Sequence, residues 1–492
     1  MALLPANYLL PLIGTVVVVR VLGPERYSLL ATLAAVTSTV TLYADMGVSK
    51  SIPKFEPEIK ARWGEIGLRN MLGTLIFLRL LIFSAVVGGI YVFSEPFFTF
   101  FKIHHNQGLY LFLIAIMLLV GAPIGILRGL LIARFRNKEL NLIQLFLTGG
   151  TPLLAIVAAV AGLGVPGILG SRAVVSVVQL ILLGWATGPL LAWRGFRFFA
   201  FHKLDAEWRK RLAAFSGLTY FTLIIRYFTD LPFAILVMNI FGLHEQVAFL
   251  SIAYRSVIMV RNLATLPLSY TLGALLGNTS LDQTHQKLRR SYQTMARLYL
   301  LGVVPASLGL VFVGKPALIF LYGAEFVPAL HTLQALAMFM ATGTVISLGT
   351  SILQMYERYR DFLLTGALCI FTTVGSCFLL ARQLGHTGVG IALGTGFLVW
   401  HGSTTWLAHR RYALNYPVDF ARRVIIACLP MQIYWLFWGD IQSNWIFFIG
   451  YVIFSMIAFL GVLKLEGGVG ESERTLVEQS RLPLKNLILR LI

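Results

Sequence analysis

The chain has 492 residues, of which 57% are hydrophobic and only 12% are charged, whereas soluble domains carry about 25% charged residues. This composition excludes an ordinary water-soluble protein. The formal net charge of +19 does not indicate nucleic-acid binding, because the Lys and Arg residues cluster at the ends of apolar runs, as they do in membrane proteins.

Apolar runs separated by charged or Gly/Pro-rich breaks predict an all-α polytopic membrane protein with about fourteen transmembrane helices. A span needs about 20 mostly apolar residues, and the chain is long enough for this number. The predicted helices have their centres, in chain order, near Ile13, Ala35, Ile82, Leu118, Ala155, Leu180, Ile225, Val257, Leu308, Ala341, Phe371, Phe397, Tyr434 and Ile453.

Basic residues are concentrated in every second connection, which predicts the orientation of the helices. The basic connections are expected to be cytoplasmic, and both termini with them, in a multi-pass protein of the cytoplasmic (inner) membrane. They lie at 50–69, 128–138, 194–211, 287–297, 358–360 and 410–423. The alternate connections have only scattered basic residues such as Arg26, Lys102, Arg172 and Arg382.

Weak matches between the two halves indicate an internal duplication. Residues 20–25, 95–100, 134–140 and 164–168 align with 239–245, 315–320, 356–362 and 385–389. Because each repeat has an even number of helices, the two lobes should be parallel. We expect six-helix lobes at 1–194 and 213–412, a cytoplasmic linker at 195–212, helices 13 and 14 at 413–465 and a cytoplasmic tail at 466–492.

Two basic or amphipathic segments outside the lobes each have two interpretations. The linker either contacts anionic lipid headgroups or is simply solvated. The end of the tail, residues 482–492, forms either a short interfacial amphipathic helix or a frayed hydrophobic end.

Charged side chains within the predicted spans are mostly arginines. Each costs about 2.5 to 3.5 kcal/mol on the insertion scale, so it usually faces a cavity or a partner. Arg79 of the third helix either faces the cavity or reaches an interface by snorkelling. Asp45 and Lys50, at the end of the second helix, are predicted to form a local ion pair.

The seventh and eighth helices contain three further arginines. Arg226 and Asp230 have the spacing to touch on one helix face, which leaves an internal ion pair and a cavity site both open. Arg255 and Arg261 have no nearby acid in sequence and indicate an anionic ligand. Aromatic residues of this stretch either stack on sugar rings or pack: Tyr220, Tyr227, Phe228, Tyr254 and Tyr270.

Guanidinium groups bind phosphate oxygens in pairs and stay charged at physiological pH. A cationic interior therefore favours a phosphate-bearing or acidic-sugar substrate over a cationic drug. The sequence has no Walker A motif, and Cys369, Cys377 and Cys428 lack metal-ligand spacing. We therefore expect a transporter rather than an enzyme, with no catalytic residues, metal or cofactor.

Three segments near the N-terminus, Arg20-Val-Leu-Gly-Pro-Glu-Arg-Tyr27, Leu42-Tyr-Ala-Asp-Met-Gly47 and Pro53-Lys-Phe-Glu-Pro-Glu58, carry a family resemblance. The chain resembles, up to about Leu465, the polysaccharide flippases (Wzx-like) of the multidrug/oligosaccharidyl-lipid/polysaccharide exporter superfamily. The resemblance implies two six-helix lobes around a V-shaped central cavity, with two extra C-terminal helices. In relatives, arginines of the cavity contact the diphosphate or acidic sugars, a role that the resemblance carries to Arg226, Arg255, Arg261 and Arg20.

The resemblance also implies a substrate, a polyprenyl-diphosphate-linked glycan that moves by alternating access to the outer leaflet for assembly of a surface polysaccharide such as lipopolysaccharide. Expected partners are this lipid-linked glycan, membrane lipids and polysaccharide-assembly proteins, but not nucleic acid. Two alternatives stay open. A multidrug/cation antiporter of the same fold would need acidic groups in the cavity, with Asp230 and Asp45 as coupling candidates. A membrane glycosyltransferase or polymerase would need paired acids or a large extramembrane loop.

Overall fold

The computed structural model describes residues 4–191, 206–277, 285–356, 358–432 and 445–468. Within these ranges the α-helices and two short 3₁₀ turns, His244–Gln246 and Ala324–Ala329, form all regular structure, which confirms the predicted all-α fold. The α-helices, in chain order, are α1 (Leu4–Asp45), α2 (Val48–Val92), α3 (Ser94–Phe100), α4 (Gln107–Ala133), α5 (Asn137–Val160), α6 (Gly164–Leu191), α7 (Ala206–Tyr227), α8 (Leu231–Ile240), α9 (Val247–Gly277), α10 (Gln286–Leu321), α11 (Leu330–Val345), α12 (Leu348–Met355), α13 (Tyr359–Tyr412), α14 (Val418–Cys428) and α15 (Trp445–Leu465).

The three longest helices are each broken at a glycine. α1, α2 and α13 turn at Gly23, Gly64 and Gly385, with φ of 69°, 65° and 55°, a left-handed conformation that glycine adopts because it lacks Cβ. Residues 10–92 as one straight helix would measure roughly 125 Å, several times the ~30 Å hydrocarbon layer. The breaks therefore divide this stretch into separate spans.

The helices suit a membrane in number and in surface. Eight helical segments of the described chain are long and apolar enough to cross a membrane, or nine if the helices on either side of a 60° bend at 228–230 form one span. Glycine breaks divide two of these segments, 10–92 and 359–412, into more than one span. Every predicted span centre lies in a described helix except Tyr434, which is outside the described residues. The structure confirms a polytopic protein with about fourteen helices.

Large apolar side chains lie on the outer surfaces of the helices. Phe371, Trp185 and Leu379 are each more than two thirds exposed. A water-soluble protein rarely exposes so many large apolar groups. Such surfaces match the hydrocarbon tails of a bilayer, in which the helices satisfy their own backbone hydrogen bonds.

The predicted repeat is visible in the turns between helices. Arg136 and Arg358, aligned in the sequence, precede α5 and α13, and their amides donate to the carbonyls of Leu131 and Leu353, both at 2.9 Å. Aligned glycines also share left-handed backbone: Gly23 with Gly242, at φ of 69° and 74°, and Gly164 with Gly385, at 59° and 55°. The weak sequence matches therefore mark equivalent turns.

The basic segment after the second span is helical, whereas the sequence predicted a loop. Residues 48–63 form the first part of α2 and, after the Gly64 turn, the chain runs back along them as an antiparallel hairpin. Ile52, Phe55 and Ile59 are buried in the same core cluster as Leu68. The apolar face of this short helix, hidden among basic residues in the sequence, explains the difference.

Arg134, just after α4, forms ion pairs with residues on both sides of the Gly64 turn. Its guanidinium lies 2.5 Å from the buried Glu56 before the turn and 3.0 Å from Glu65 after it. Lys60 also pairs with Glu65, at 2.9 Å. These ion pairs connect α4 to both arms of the hairpin.

The chain divides into two compact units between Val247 and Ala248. We call them the N-terminal unit, with α1 to α8, and the C-terminal unit, with α9 from Ala248 onward to α15. The predicted lobe boundaries stay a prediction, because much of the linker, residues 192–205, lies outside the described residues. The predicted amphipathic segment at 482–492 lies outside them as well.

Candidate functional site

Helix α9 of the C-terminal unit carries two arginines, Arg255 and Arg261, which are both partly buried. Arg255 lies one turn after Ser251, so the two side chains share a helix face. Among the described residues, neither the buried Nε of Arg255 nor the buried Oγ of Ser251 has a hydrogen-bond partner. Buried polar groups are normally paired, so these two atoms are exceptions on this face of α9.

Arg261 lies beside α13. Its guanidinium carbon is 5.7 Å from the centre of the Phe397 ring, a cation–π distance. His401 packs edge-to-face on Phe397 with ring centres 4.3 Å apart. Its Nδ1 lies 2.9 Å from Thr350 Oγ1, which lies 2.7 Å from Thr404 Oγ1. Arg261 therefore borders a polar cluster contributed by α12 and α13.

Sequence reasoning missed Phe397, His401 and Thr350 as neighbours of Arg261. They lie on helices far along the chain from α9, and no motif connects them. One available signal was His401 itself, a polar side chain in the middle of an apolar run, where polar groups are costly unless they have partners.

Acidic residues are scarce in the described helices of the C-terminal unit. The sequences of α9, α10, α11 and α12 contain no Asp or Glu. α13 has one, Asp361 in its first turn, and Arg411 pairs with it at 2.8 Å. The charge of Arg255 and Arg261 therefore favours an anionic ligand over a cation, whose relays use buried carboxylates.

Arg226 and Asp230 do not share one helix face, and that prediction is wrong. α7 ends one residue after Arg226, α8 begins one residue after Asp230, and the chain bends by 60° between them. Asp230 Oδ1 accepts a hydrogen bond from the Leu231 amide at 2.8 Å and caps α8. Arg226 is exposed and lies in the N-terminal unit, although the sequence had grouped it with Arg255 and Arg261.

Arg79 is buried in an ion pair with Asp45, whereas the sequence paired Asp45 with Lys50, which is exposed. Arg79 Nη2 lies 3.1 Å from Asp45 Oδ1, and Nη1 donates to Ser49 Oγ at 2.8 Å. The Ser49 hydroxyl also hydrogen-bonds to Asp45. Ser49 and Arg79 are 30 residues apart and equidistant from Gly64. The two arms of the hairpin therefore place them opposite each other. Arg79 therefore has a structural role in the hairpin, and its contact with a substrate stays a prediction.

Helix α4 leaves room for this ion pair at Gly125. A Cβ atom at this position would lie 2.3 Å from Ser49 Oγ and 2.6 Å from Arg79 Nη1. The absence of a side chain therefore lets α4 approach the hairpin at the depth of the buried charges.

A cluster of three tyrosines connects α1 with α7 in the N-terminal unit. The ring of Tyr43 packs edge-to-face on Tyr227 and Tyr220, with centres 5.4 and 6.5 Å apart. The Tyr227 hydroxyl lies 2.9 Å from Thr39 Oγ1. The buried Tyr227 therefore has a packing role, whereas the Tyr43 side chain is 37% exposed.

The five predicted arginines thus fall into three groups. Arg255 and Arg261 lie on one helix of the C-terminal unit. Arg79 is in the buried ion pair. Arg20 and Arg226 are exposed on α1 and α7 of the N-terminal unit.

Comparison with known proteins gives a family match over most of the chain. Residues 17–331 match the model of a family described as polysaccharide biosynthesis protein. A search of curated proteins found no significant match.

Solved structures give the fold. The lipid II flippase MurJ in an inward closed conformation is similar at a TM-score of 0.73 and 14% identity, covering 93% of this chain and 96% of that chain. An inward-facing multidrug resistance MATE family transporter of the MOP superfamily has a TM-score of 0.64 at 16% identity, covering 83% and 94%. A Vibrio cholerae MATE transporter reaches 0.51 at 15%, covering 82% and 95%. At these identities the likeness shows the helical fold of these membrane transporters.

Proposed function

From the chain's membership of the polysaccharide biosynthesis protein family and its transporter fold, we propose that it is a flippase for a polyprenyl-diphosphate-linked oligosaccharide. The substrate crosses the cytoplasmic membrane by alternating access and supplies the assembly of a cell-surface polysaccharide such as lipopolysaccharide. Both termini face the cytoplasm in this proposal, and the partners are membrane lipids and polysaccharide-assembly proteins.

The observation that carries this proposal is the charge of the described helices in the C-terminal unit. Arg255 and Arg261 lie on α9, and the sequences of α9, α10, α11 and α12 contain no acidic residue. A diphosphate carries several negative oxygens, and a guanidinium group binds two of them at once. The phosphate-bearing headgroup is therefore the part of the substrate that this unit is best suited to contact.

Two alternatives predict different chemistry. A multidrug/cation antiporter of the same fold is favoured by the structural likeness to MATE transporters, and it would rely on Asp45 or Asp230. Asp45 is neutralised by Arg79 and Asp230 caps α8, which supports the flippase instead. We propose transport rather than glycosyl transfer or polymerisation because the similar solved structures are a flippase and transporters.

Replacing Arg255 or Arg261 with alanine is expected to slow flipping by about ten- to a hundredfold. The reason is the loss of a charge-assisted hydrogen bond to the diphosphate, which contributes about 1.5 to 3 kcal/mol. The measurement is a proteoliposome assay that follows a fluorescent polyprenyl-diphosphate oligosaccharide from one leaflet to the other.

The matched control is Arg290→Ala, which removes an exposed arginine near the start of α10 in the same unit. Flipping by this variant should equal wild type. Wild-type rates in both Arg255→Ala and Arg261→Ala would remove the two arginines from the substrate path. Absence of flipping in the wild type, together with proton-driven efflux of a cationic dye, would replace the proposal by the antiporter.

A further inference from the structure

The N-terminal unit contains a polar pocket of about 470 Å³ that the proposed arginine site does not include. It is lined by the start of the second part of α1, the turn after α3 and the segment from the end of α8 to Gln246. These segments all lie at the end of the helices opposite the Arg134 ion pairs, which is the end predicted to face outward. Binding pockets for small ligands usually measure about 300 to 1,000 Å³, so this one fits one or two sugar rings.

Buried polar side chains form one wall of the pocket. Asn239, Thr32 and Ser28 are buried yet line it. The Asn239 Nδ2 atom donates to the Ile235 carbonyl at 2.7 Å, which turns its Oδ1 toward His244 Nδ1, 2.7 Å away. His244 Nδ1 is therefore the protonated nitrogen, and Nε2 is left as an acceptor on a side chain that lines the pocket.

The opposite side of the pocket carries a lysine in a conformation typical of glycine. Lys102 follows α3 with φ of 53°, and the chain around it makes the same pair of hydrogen bonds as at Gly162 and Gly242, which end α5 and α8. A side chain in this left-handed position strains the backbone. The Lys102 side chain lines the pocket.

The charges of the pocket are mixed rather than of one sign. Arg26 and Lys102 are balanced in number by Glu25 and Glu245, and all four line it together with hydroxyl, amide and imidazole groups. A free phosphate would favour an excess of positive charge. A sugar ring presents many hydroxyls that both donate and accept, which matches a mixed set of donors and acceptors.

We propose that this pocket binds a saccharide ring. The proposal deepens the proposed function and rests on it for the origin of the ligand, the glycan of the lipid-linked substrate. In this proposal the pocket holds a sugar of that glycan at the outward end of the N-terminal unit.

Replacing Lys102 with glycine tests the pocket without disturbing the fold, because glycine relieves the left-handed strain. Saturation-transfer NMR on the purified full chain, with the methyl glycosides of glucose, N-acetylglucosamine and glucuronic acid as probes, should show binding of at least one. We expect the Kd of that glycoside to rise at least fivefold in Lys102→Gly. Arg26→Ala, which truncates an exposed side chain of the same pocket, should also raise the Kd of that glycoside.

The matched control is Phe135→Gly, because Phe135 has φ of 54° and the same hydrogen-bonded turn at the other end of the unit. Its Kd should equal wild type. No saturation transfer from any of the three glycosides, or equal Kd values in wild type and both pocket variants, would overturn the saccharide pocket. Sugar binding that depends on Lys102 together with a failed flipping assay would keep the pocket and reject the transport proposal.

Discussion

Replacing Arg79 with leucine is expected to lower the free energy of unfolding by about 3 to 5 kcal/mol. Arg79 and Asp45 are both largely buried, with side chains 3% and 14% exposed. Removing the guanidinium leaves the Asp45 carboxylate without its 3.1 Å partner in a region of low dielectric constant. The measurement is the unfolding midpoint and slope in mixed detergent and SDS micelles.

Two further variants separate the ion pair from general loss of packing. Arg211→Leu breaks an exposed pair with Glu58 in the same unit, and exposed pairs contribute about 0 to 1 kcal/mol. The double variant Asp45→Asn with Arg79→Leu should recover part of the stability, because no uncompensated charge stays buried. A loss below about 1 kcal/mol in Arg79→Leu would show that the pair does not hold the hairpin.

Gly47→Ala is expected to destabilise the protein by about 3 kcal/mol, the combined effect of left-handed strain and overpacking. Gly47 has φ of 72°, and a Cβ atom there would lie 2.4 Å from the Ser216 carbonyl oxygen and 3.0 Å from the Tyr220 amide nitrogen of α7. These are backbone atoms, so they cannot move aside as a flexible side chain would. Thermal unfolding in detergent measures the effect.

Gly162→Ala is the matched control for this prediction. Gly162 has φ of 73°, but a Cβ atom there would meet nothing within 4 Å. The control therefore measures strain alone, which costs about 1 to 2 kcal/mol. Equal losses in the two variants would contradict the close approach of α7 to Gly47.

The Ala44-Asp-Met-Gly47 turn illustrates what the sequence could and could not predict. Its presence at the end of the second span supported the family resemblance, which the family match confirms. The partners of its residues came only from the structure: Asp45 pairs with Arg79 rather than with the neighbouring Lys50. Sequence distance favours the near partner, but the hairpin at Gly64 determines which charges lie at the same depth.

The candidate site was predicted in part. Arg255 and Arg261 stand out in the sequence because a charge inside an apolar run is costly, and both lie partly buried on α9. Their role in binding stays a proposal. Arg226 was grouped with them by the repeat, yet it lies in the N-terminal unit, because α7 packs against α1 and α2.

By itself, the sequence determined the helical membrane architecture, the positions of the spans and the repeat. These follow from properties of contiguous residues, since each span must bury about 20 apolar residues in lipid and satisfy its backbone internally. Tertiary structure alone decided the partner of Asp45, the helical form of residues 48–63 and the neighbours of Arg261. Such contacts join residues that are far apart along the chain. They depend on how the helices pack, which a local sequence pattern does not specify.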